Sequence, residues 1–198
     1  MQKLLIATKN PGKFLEFKEI FKELGLEIEL VSLKDLGIEQ KMEEIGKNFE
    51  ENAIQKAEFY HDLSELLTLA DDGGLEIDCL NGEPGVKSRR WPGYEATDEE
   101  MIQIALEKLK GVPREKRGAQ LRTVVGLVFP GDEKVYTFEG ILRGHIAETP
   151  TTQRVAGYPF RSIFIPEGQE KYLGELSLVA HRKQAIEKAL PIIKKHLC

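Results

Sequence analysis

Residues 3–8, KLLIAT, form a nearly continuous apolar run that stops at KNPGK, and Phe14, Phe17, Ile20, Phe21 and Leu24 then recur at helical spacing over 14–25. A strand without a polar face needs cover on both sides, so a strand, a tight turn and a helix in this order open an α/β chain. Asn10 and Pro11 suit the helix start: Asn caps orphan backbone donors, and Pro loses no bond in the first turn. The alternation continues with a strand expected at 27–32 and a helix over 49–61, opened by Asn48 with Glu51 three positions on. LLTLA at 66–70 predicts a short buried strand ended by Asp71, Asp72, Gly73 and Gly74, after which LEIDCL alternates and NGEPG breaks the pattern. Residues 97–111 carry a Thr cap, Glu100 and an amphipathic repeat ending at Gly111. AQLRTVVGLVF and VYTFEGILRGHI flank PGDEK as a long hairpin, and 181–197 predicts a basic amphipathic helix kinked at Pro191. With no repeat, linker or low-complexity segment, the reading is one mixed α/β domain over 1–198.

The charge balance narrows the partners. Lysine and arginine number 28 against 33 acids, a net charge of -5, and the two signs are interspersed, which argues against a nucleic-acid binder. Any polyanion must therefore be met by a local site. The two cysteines, Cys79 and Cys198, form no CxxC pair or Cys/His cluster, so a disulfide framework and a structural zinc site are not expected, and a reducing cytoplasm fits best. The longest apolar run, TVVGLVF at 123–129, is far short of the roughly 18 residues of a membrane span.

Four clusters could carry chemistry. TKNPGK at 8–13 offers helix-start N–H groups with Lys9 and Lys13, the ingredients of a phosphate cradle, although it lacks the Walker spacing and would also serve as a plain turn with solvated lysines. Asp71 and Asp72 follow a buried strand, where ligands collect in open α/β sheets; paired acids there can hold Mg²⁺ or poise a general base, while DDGG alone would equally make a surface turn. Glu43 and Glu44 precede a helix that carries Asn52 and Lys56 at i, i+4, hence on one face. SRRW at 88–91 and HRK at 181–183 add arginines suited to phosphate, and Trp91 or a ring near Phe160 could stack on a base.

ATKNPGKFLEF, EEIGKNFEENAIQKA, ADDGGLEIDCLNGEPGVKSRRW, IFIPEG and AHRK occur in that order across nearly the whole chain, and together they resemble the inosine triphosphate pyrophosphatase family, the XTP/dITP diphosphatases. The resemblance implies an ITPase-like α/β fold, an elongated mixed β-sheet flanked by helices with two lobes around a central cleft, usually a homodimer. It also implies Mg²⁺-dependent hydrolysis of the deaminated purine nucleoside triphosphates ITP, dITP and XTP to monophosphate and pyrophosphate. By that resemblance Thr8, Lys9, Asn10 and Lys13 match a triphosphate-binding turn. Glu44 and Asp72, with Asp71 beside them, match metal-binding acids. Asp72 also matches the base that activates water, and Lys56 matches a lysine required for activity. His181 and Arg182 match a pair contacting the nucleotide, Arg182 near the base.

The sequence departs from the family pattern on its base-selecting side. Gly73 replaces a serine next to the acids. The segment usually reading GFGYDPIF is here GYPFRSIF, which sets Tyr158, Phe160 and Arg161 at the base pocket, with Arg161 in place of an acid; Leu176 falls where a substrate lysine is expected. Two further readings stay open at this point. One is a pyrophosphatase of shifted base specificity, as in the related Maf-type enzymes, and the other is a nucleotide-binding module without turnover.

Overall fold

A computed structural model describes residues 2–176 and 179–197, so Cys198 lies outside the described residues; Cys79 is a free, exposed thiol. Six strands form one sheet in the order β2-β1-β3-β4-β5-β6: β1 (Lys3–Ile6), β2 (Glu29–Ser32), β3 (Leu67–Ile77), β4 (Gly118–Val128), β5 (Val135–Ile146) and β6 (Phe164–Pro166). β1 lies between β2 and β3 and pairs with both in parallel, Leu5 opposite Val31 and Thr68, whereas β6 runs antiparallel to β5 with His145 opposite Ile165. The sheet is mixed, as expected. Among the described residues four α-helices accompany it: α1 (Pro11–Glu23), α2 (Phe49–Ser64), α3 (Asp98–Lys108) and α4 (Ala180–Leu197). Among the described residues no helix is long and apolar enough to cross a membrane.

The chain divides into two compact units, one of Met1–Asp72, Thr123–Gly140 and His181–Cys198, the other of Gly73–Arg122 and Ile141–Ala180. In the first, Leu4, Leu5 and Ile6 of β1 are wholly buried, which is what an apolar run covered on both faces requires. α1 begins at Asn10, whose side chain accepts from the N–H of Gly12 (2.8 Å) and Lys13 (3.4 Å), and turns Phe17, Ile20 and Phe21 inward. α2 begins at Asn48, which accepts from Glu51 N at 2.8 Å while Glu51 accepts from Lys47 N, and packs Ala57 and Tyr60 against Leu5, Ala70 and Val128. α4 continues through Pro191. In the second unit Thr97 and Glu100 form a full capping box at α3, which packs Met101, Ile102 and Ala105 against Leu75, Ile77 and Phe164. The guanidinium of buried Arg117 donates to the carbonyls of Leu109, Val112 and Ala147, closing the end of α3.

Two segments differ from the sequence reading. β3 does not stop at the aspartates: it runs eleven residues, LTLADDGGLEI, so Asp71 to Gly74 lie within a strand and LEI belongs to the same element. Backbone ladder pairing outweighs the turn preference of Asp and Gly there. β6 was not foreseen, because three residues are too few to show an alternating pattern.

Two glycines set how closely helices approach strands in the first unit. A Cβ on Gly126 of β4 would lie 2.8 Å from the carbonyl oxygen of Ala53 in α2, and one on Gly140 of β5 would overlap the carbonyl oxygen of His181 at the start of α4. Gly140→Ala is expected to push α4 outward and cost about 1–3 kcal/mol of stability, read from urea unfolding. An unchanged midpoint would mean that α4 can retreat from β5 without loss.

Candidate active site

The first unit concentrates charge around the middle of β3. β1 pairs with β3 only as far as Leu69, whose carbonyl accepts from Ala7 N at 2.7 Å; the chain of β1 then leaves through Thr8–Asn10 into α1. β3 continues past that departure, and its next residues are Asp71 and Asp72. Consecutive strand residues point to opposite faces, so these neighbouring acids enter two different environments.

Asp71 turns toward α1 and α4. Its Oδ2 lies 2.9 Å from Lys13 Nζ and accepts from Arg182 Nε at 3.2 Å, and Arg182 also donates to Glu16 Oε2 at 2.8 Å. All of Asp71, Arg182 and Glu16 are buried. Burial on its own would raise the Asp71 carboxyl, but Lys13, Arg182 and Lys56 outweigh it and hold the group well below the usual carboxylate range. Asp71 is therefore a fixed anion, and its Oδ1 is buried with no hydrogen-bond partner among the described residues.

Asp72 turns toward α2. Its Oδ2 accepts from Asn52 Nδ2 at 2.9 Å, and Oδ1 lies 3.9 Å from Lys56 Nζ. Lys56 in turn forms an ion pair with Glu44 and donates to the Asp71 carbonyl at 3.1 Å. Burial pushes Asp72 up, Lys56 pulls it down, and Glu44 adds to the rise; the net direction is up. Lys56 shows the opposite balance, since burial lowers it but Asp72, Glu44 and Asp71 leave it raised, firmly protonated. Glu44 is lowered: burial raises it, and the Lys56 ammonium more than offsets that. Two adjacent aspartates thus acquire different characters, one a paired anion and the other a more basic carboxylate beside a lysine.

Glu44 and Asp72 already flank one cation, the Lys56 ammonium, and present the hard oxygen donors that Mg²⁺ takes. Among the described residues no three acidic, His or Cys side chains converge to hold a metal, because Asp71 faces away from the other two. That fits an ion that takes one or two carboxylates and completes its shell with substrate phosphates and water.

The remaining expected residues divide between the units. In the first, Thr8 Oγ1 accepts from Asn10 N at 3.1 Å, exposed Lys9 donates to the Glu39 carbonyl at 2.7 Å, and His181 Nε2 lies 3.2 Å from Arg182 Nη1, an obligate donor. The helix-start donors of Gly12 and Lys13 are engaged by Asn10, so the positive charge of this turn comes through Lys13. In the second unit, Gly73 lies in β3, Phe160 is buried in the core, and the Arg161 guanidinium stacks 4.2 Å from the centroid of the Tyr158 ring. Trp91 packs at the edge of that core, with its Nε1 donating to Glu83 at 3.0 Å and Lys108 over its ring. Glu16 and Thr123 were not foreseen. Glu16 reads as one more charge on a helix; its only sequence signal is its place among Phe17, Ile20 and Phe21 on the inward face. Thr123, whose hydroxyl donates to the Asp72 carbonyl at 3.2 Å, looks like any β-branched strand residue.

Comparison with known proteins identifies the family. Residues 4–192 match the Ham1 family. The chain is 41% identical over its whole length to a dITP/XTP pyrophosphatase of Caldanaerobacter subterraneus subsp. tengcongensis, covering 98% of that protein. It is 38% identical to a dITP/XTP pyrophosphatase of Bacillus subtilis, covering 98% of each chain. Among solved structures, a HAM1 protein from Coxiella burnetii superposes with a TM-score of 0.83 at 32% identity, over 98% of this chain and 100% of that one.

The raised Asp72 carboxyl carries a stability consequence. A carboxyl whose folded pKa lies above its ordinary 3.8 opposes folding while ionised, and the opposition fades as pH falls through the folded value. Asp72→Asn should therefore unfold at higher urea than the wild type at pH 7 in chelator, the gap narrowing as pH is lowered. A less stable variant at pH 7 would show that the Lys56 contact outweighs burial.

Proposed function

The chain belongs to the Ham1 family and is a nucleotide pyrophosphatase, a hydrolase acting on a phosphoanhydride bond, and we propose that its substrates are the deaminated purine nucleoside triphosphates ITP, dITP and XTP. The products are the nucleoside monophosphate and pyrophosphate, Mg²⁺ is the cofactor, and the enzyme works as a cytoplasmic homodimer that clears such nucleotides from the pool. The observation that carries the reading is the contrast between Asp71 and Asp72: a site built only to bind a nucleotide has no use for a basic carboxylate held beside a lysine. The names of the full-length relatives support the substrate class.

In this scheme Lys13 and Lys56 bring positive charge to the triphosphate, and Thr8, Lys9 and Asn10 shape the turn that receives it. Asp72 orients a water molecule and takes its proton as the water oxygen attacks the α-phosphorus. The bond from the α-phosphorus to the bridging oxygen breaks, and pyrophosphate leaves with the bonding pair. Held by Glu44 and Asp72 with substrate oxygens, Mg²⁺ would neutralise charge on the phosphates. Asp71, fixed by Lys13 and Arg182, contributes as the anion that keeps Lys13 in place.

A second reading, a shifted base specificity, is favoured by one observation. Arg161 replaces an expected acid, and its guanidinium lies over Tyr158 in the segment that the resemblance assigns to the base. An arginine donates where an acid accepts, which suits a 6-oxo group but also other carbonyl-bearing bases.

Incubation with Mg²⁺ and ITP, dITP, XTP, GTP, ATP, dTTP or UTP separates the two. Monophosphate plus pyrophosphate from the first three alone is the expected result, whereas turnover of ATP or of pyrimidines would move the assignment to the second reading. Asp72→Asn should lower kcat by roughly 10²–10⁴-fold, the usual contribution of a general base. Wild-type turnover in that variant would remove Asp72 from the role of base.

A further inference from the structure

We propose that Asn52 is a positioning residue of this site: its side-chain amide ties the backbone of the segment carrying Glu44 to the carboxylate of Asp72, and so holds the two acids in a fixed relation. The proposal rests on the reading that Glu44 and Asp72 serve the reaction. Residues 40–46 form no helix or strand, so no ladder of backbone bonds fixes Glu44. Two residues on, Gly46 N donates to Asn52 Oδ1 at 2.7 Å, and the same amide donates through Nδ2 to Asp72 Oδ2 at 2.9 Å. Asn52 is 1% exposed; its bond to Asp72 is buried and its bond to Gly46 is partly so.

The chemistry of the two partners sets what the side chain between them must do. A backbone N–H only donates and a carboxylate only accepts, so the group between them must accept on one side and donate on the other. An amide does both; aspartate would bring a second negative charge against Asp72, and alanine or leucine would strand both partners. The approach is also close. A Cβ on Gly46 would stand 2.5 Å from Asn52 Oδ1 and 2.9 Å from Asn52 N, so the loop packs its bare backbone against the amide.

Asn52 and Lys56 stand one turn apart on α2 and face the two oxygens of Asp72, Asn52 at Oδ2 and Lys56 at Oδ1. Lys56 also pairs with Glu44. The two residues therefore link the same pair of acids by different means, charge in one case and directed hydrogen bonds in the other. The amide fixes which way the Asp72 carboxylate turns, a property that a spherical ammonium does not confer.

Two variants and two readouts test this in the full chain. Asn52→Ala removes both bonds; Asn52→Asp keeps an acceptor for Gly46 but sets a carboxylate against Asp72. The first is pyrophosphate release resolved into kcat and KM, and the second is hydrogen exchange at the Gly46 amide. Both variants are expected to lose about 10–100-fold in kcat, the usual cost of removing a residue that orients a site group, with KM within about threefold. Gly46 exchange should quicken in Asn52→Ala alone, while amides in the middle of α2 keep their protection. Wild-type kcat in either folded variant, or unchanged Gly46 exchange in Asn52→Ala, would overturn the proposal. If Asn52→Ala does not fold, Asn52→Asp and Gly46→Ala decide it, since each disturbs one end of the tether and both should lower kcat. A wild-type chain that releases no pyrophosphate from any nucleotide would sink the proposed function and the catalytic half of this inference, while Gly46 exchange still decides the tether.

Discussion

A buried carboxylate gripped by two cations organises the first unit. Asp71 sits inside β3, Lys13 comes from the first turn of α1, and Arg182 comes from the first turn of α4, so one side chain joins three elements distant in sequence. Such a cluster is costly to bury and stays buried only when each charge has a partner. Glu16 completes it by taking the end of the Arg182 guanidinium that Asp71 does not reach. Asp72, the next residue of β3, is set differently: burial pushes its carboxyl up and Glu44 adds to the rise, against the pull of Lys56, which also pairs with Glu44.

The alternation of side chains along a strand explains why the adjacent acids do not act as a pair. The sequence analysis places Asp71 and Asp72 at the end of a strand, where both could turn toward one metal; inside a strand they cannot, and the structure sends one to α1 and α4 and the other to α2. The glycines that follow are then strand residues next to a charged site. The result is a division between an acid that holds the scaffold and an acid available for chemistry, achieved by parity of position.

Most of the fold is legible in the chain for physical reasons that act locally. Asn10, Asn48 and Thr97 mark helix starts through capping bonds that form between residues two or three apart, and each forms where the sequence places it. KLLIAT announces a doubly covered strand because no polar residue interrupts it. What escapes is set by partners far away in sequence. DDGG reads as a turn until a neighbouring strand supplies its backbone bonds, and β6 depends on pairing with β5. The site shows the same split. Asn52 and Lys56 are visible as one helix face, yet that face is occupied only because β3 passes it. Arg182 reads as a residue for the nucleotide, whereas its guanidinium is engaged by Glu16 and Asp71 from two other elements.

The segment that the resemblance assigns to the base obeys a different rule from the charged centre. Asp71, Lys13 and Arg182 constrain one another, so changing any one strands a buried charge on another. The Arg161 guanidinium stacks on the Tyr158 ring, at a turn of 3-10 helix over Pro159–Ser162. That turn is fixed around them by Phe160, which is buried in the core. The departure from the family pattern at Arg161 therefore changes a residue of a 3-10 turn anchored by an apolar side chain, whereas Asp71, Lys13 and Arg182 are tied to one another by buried charge pairing.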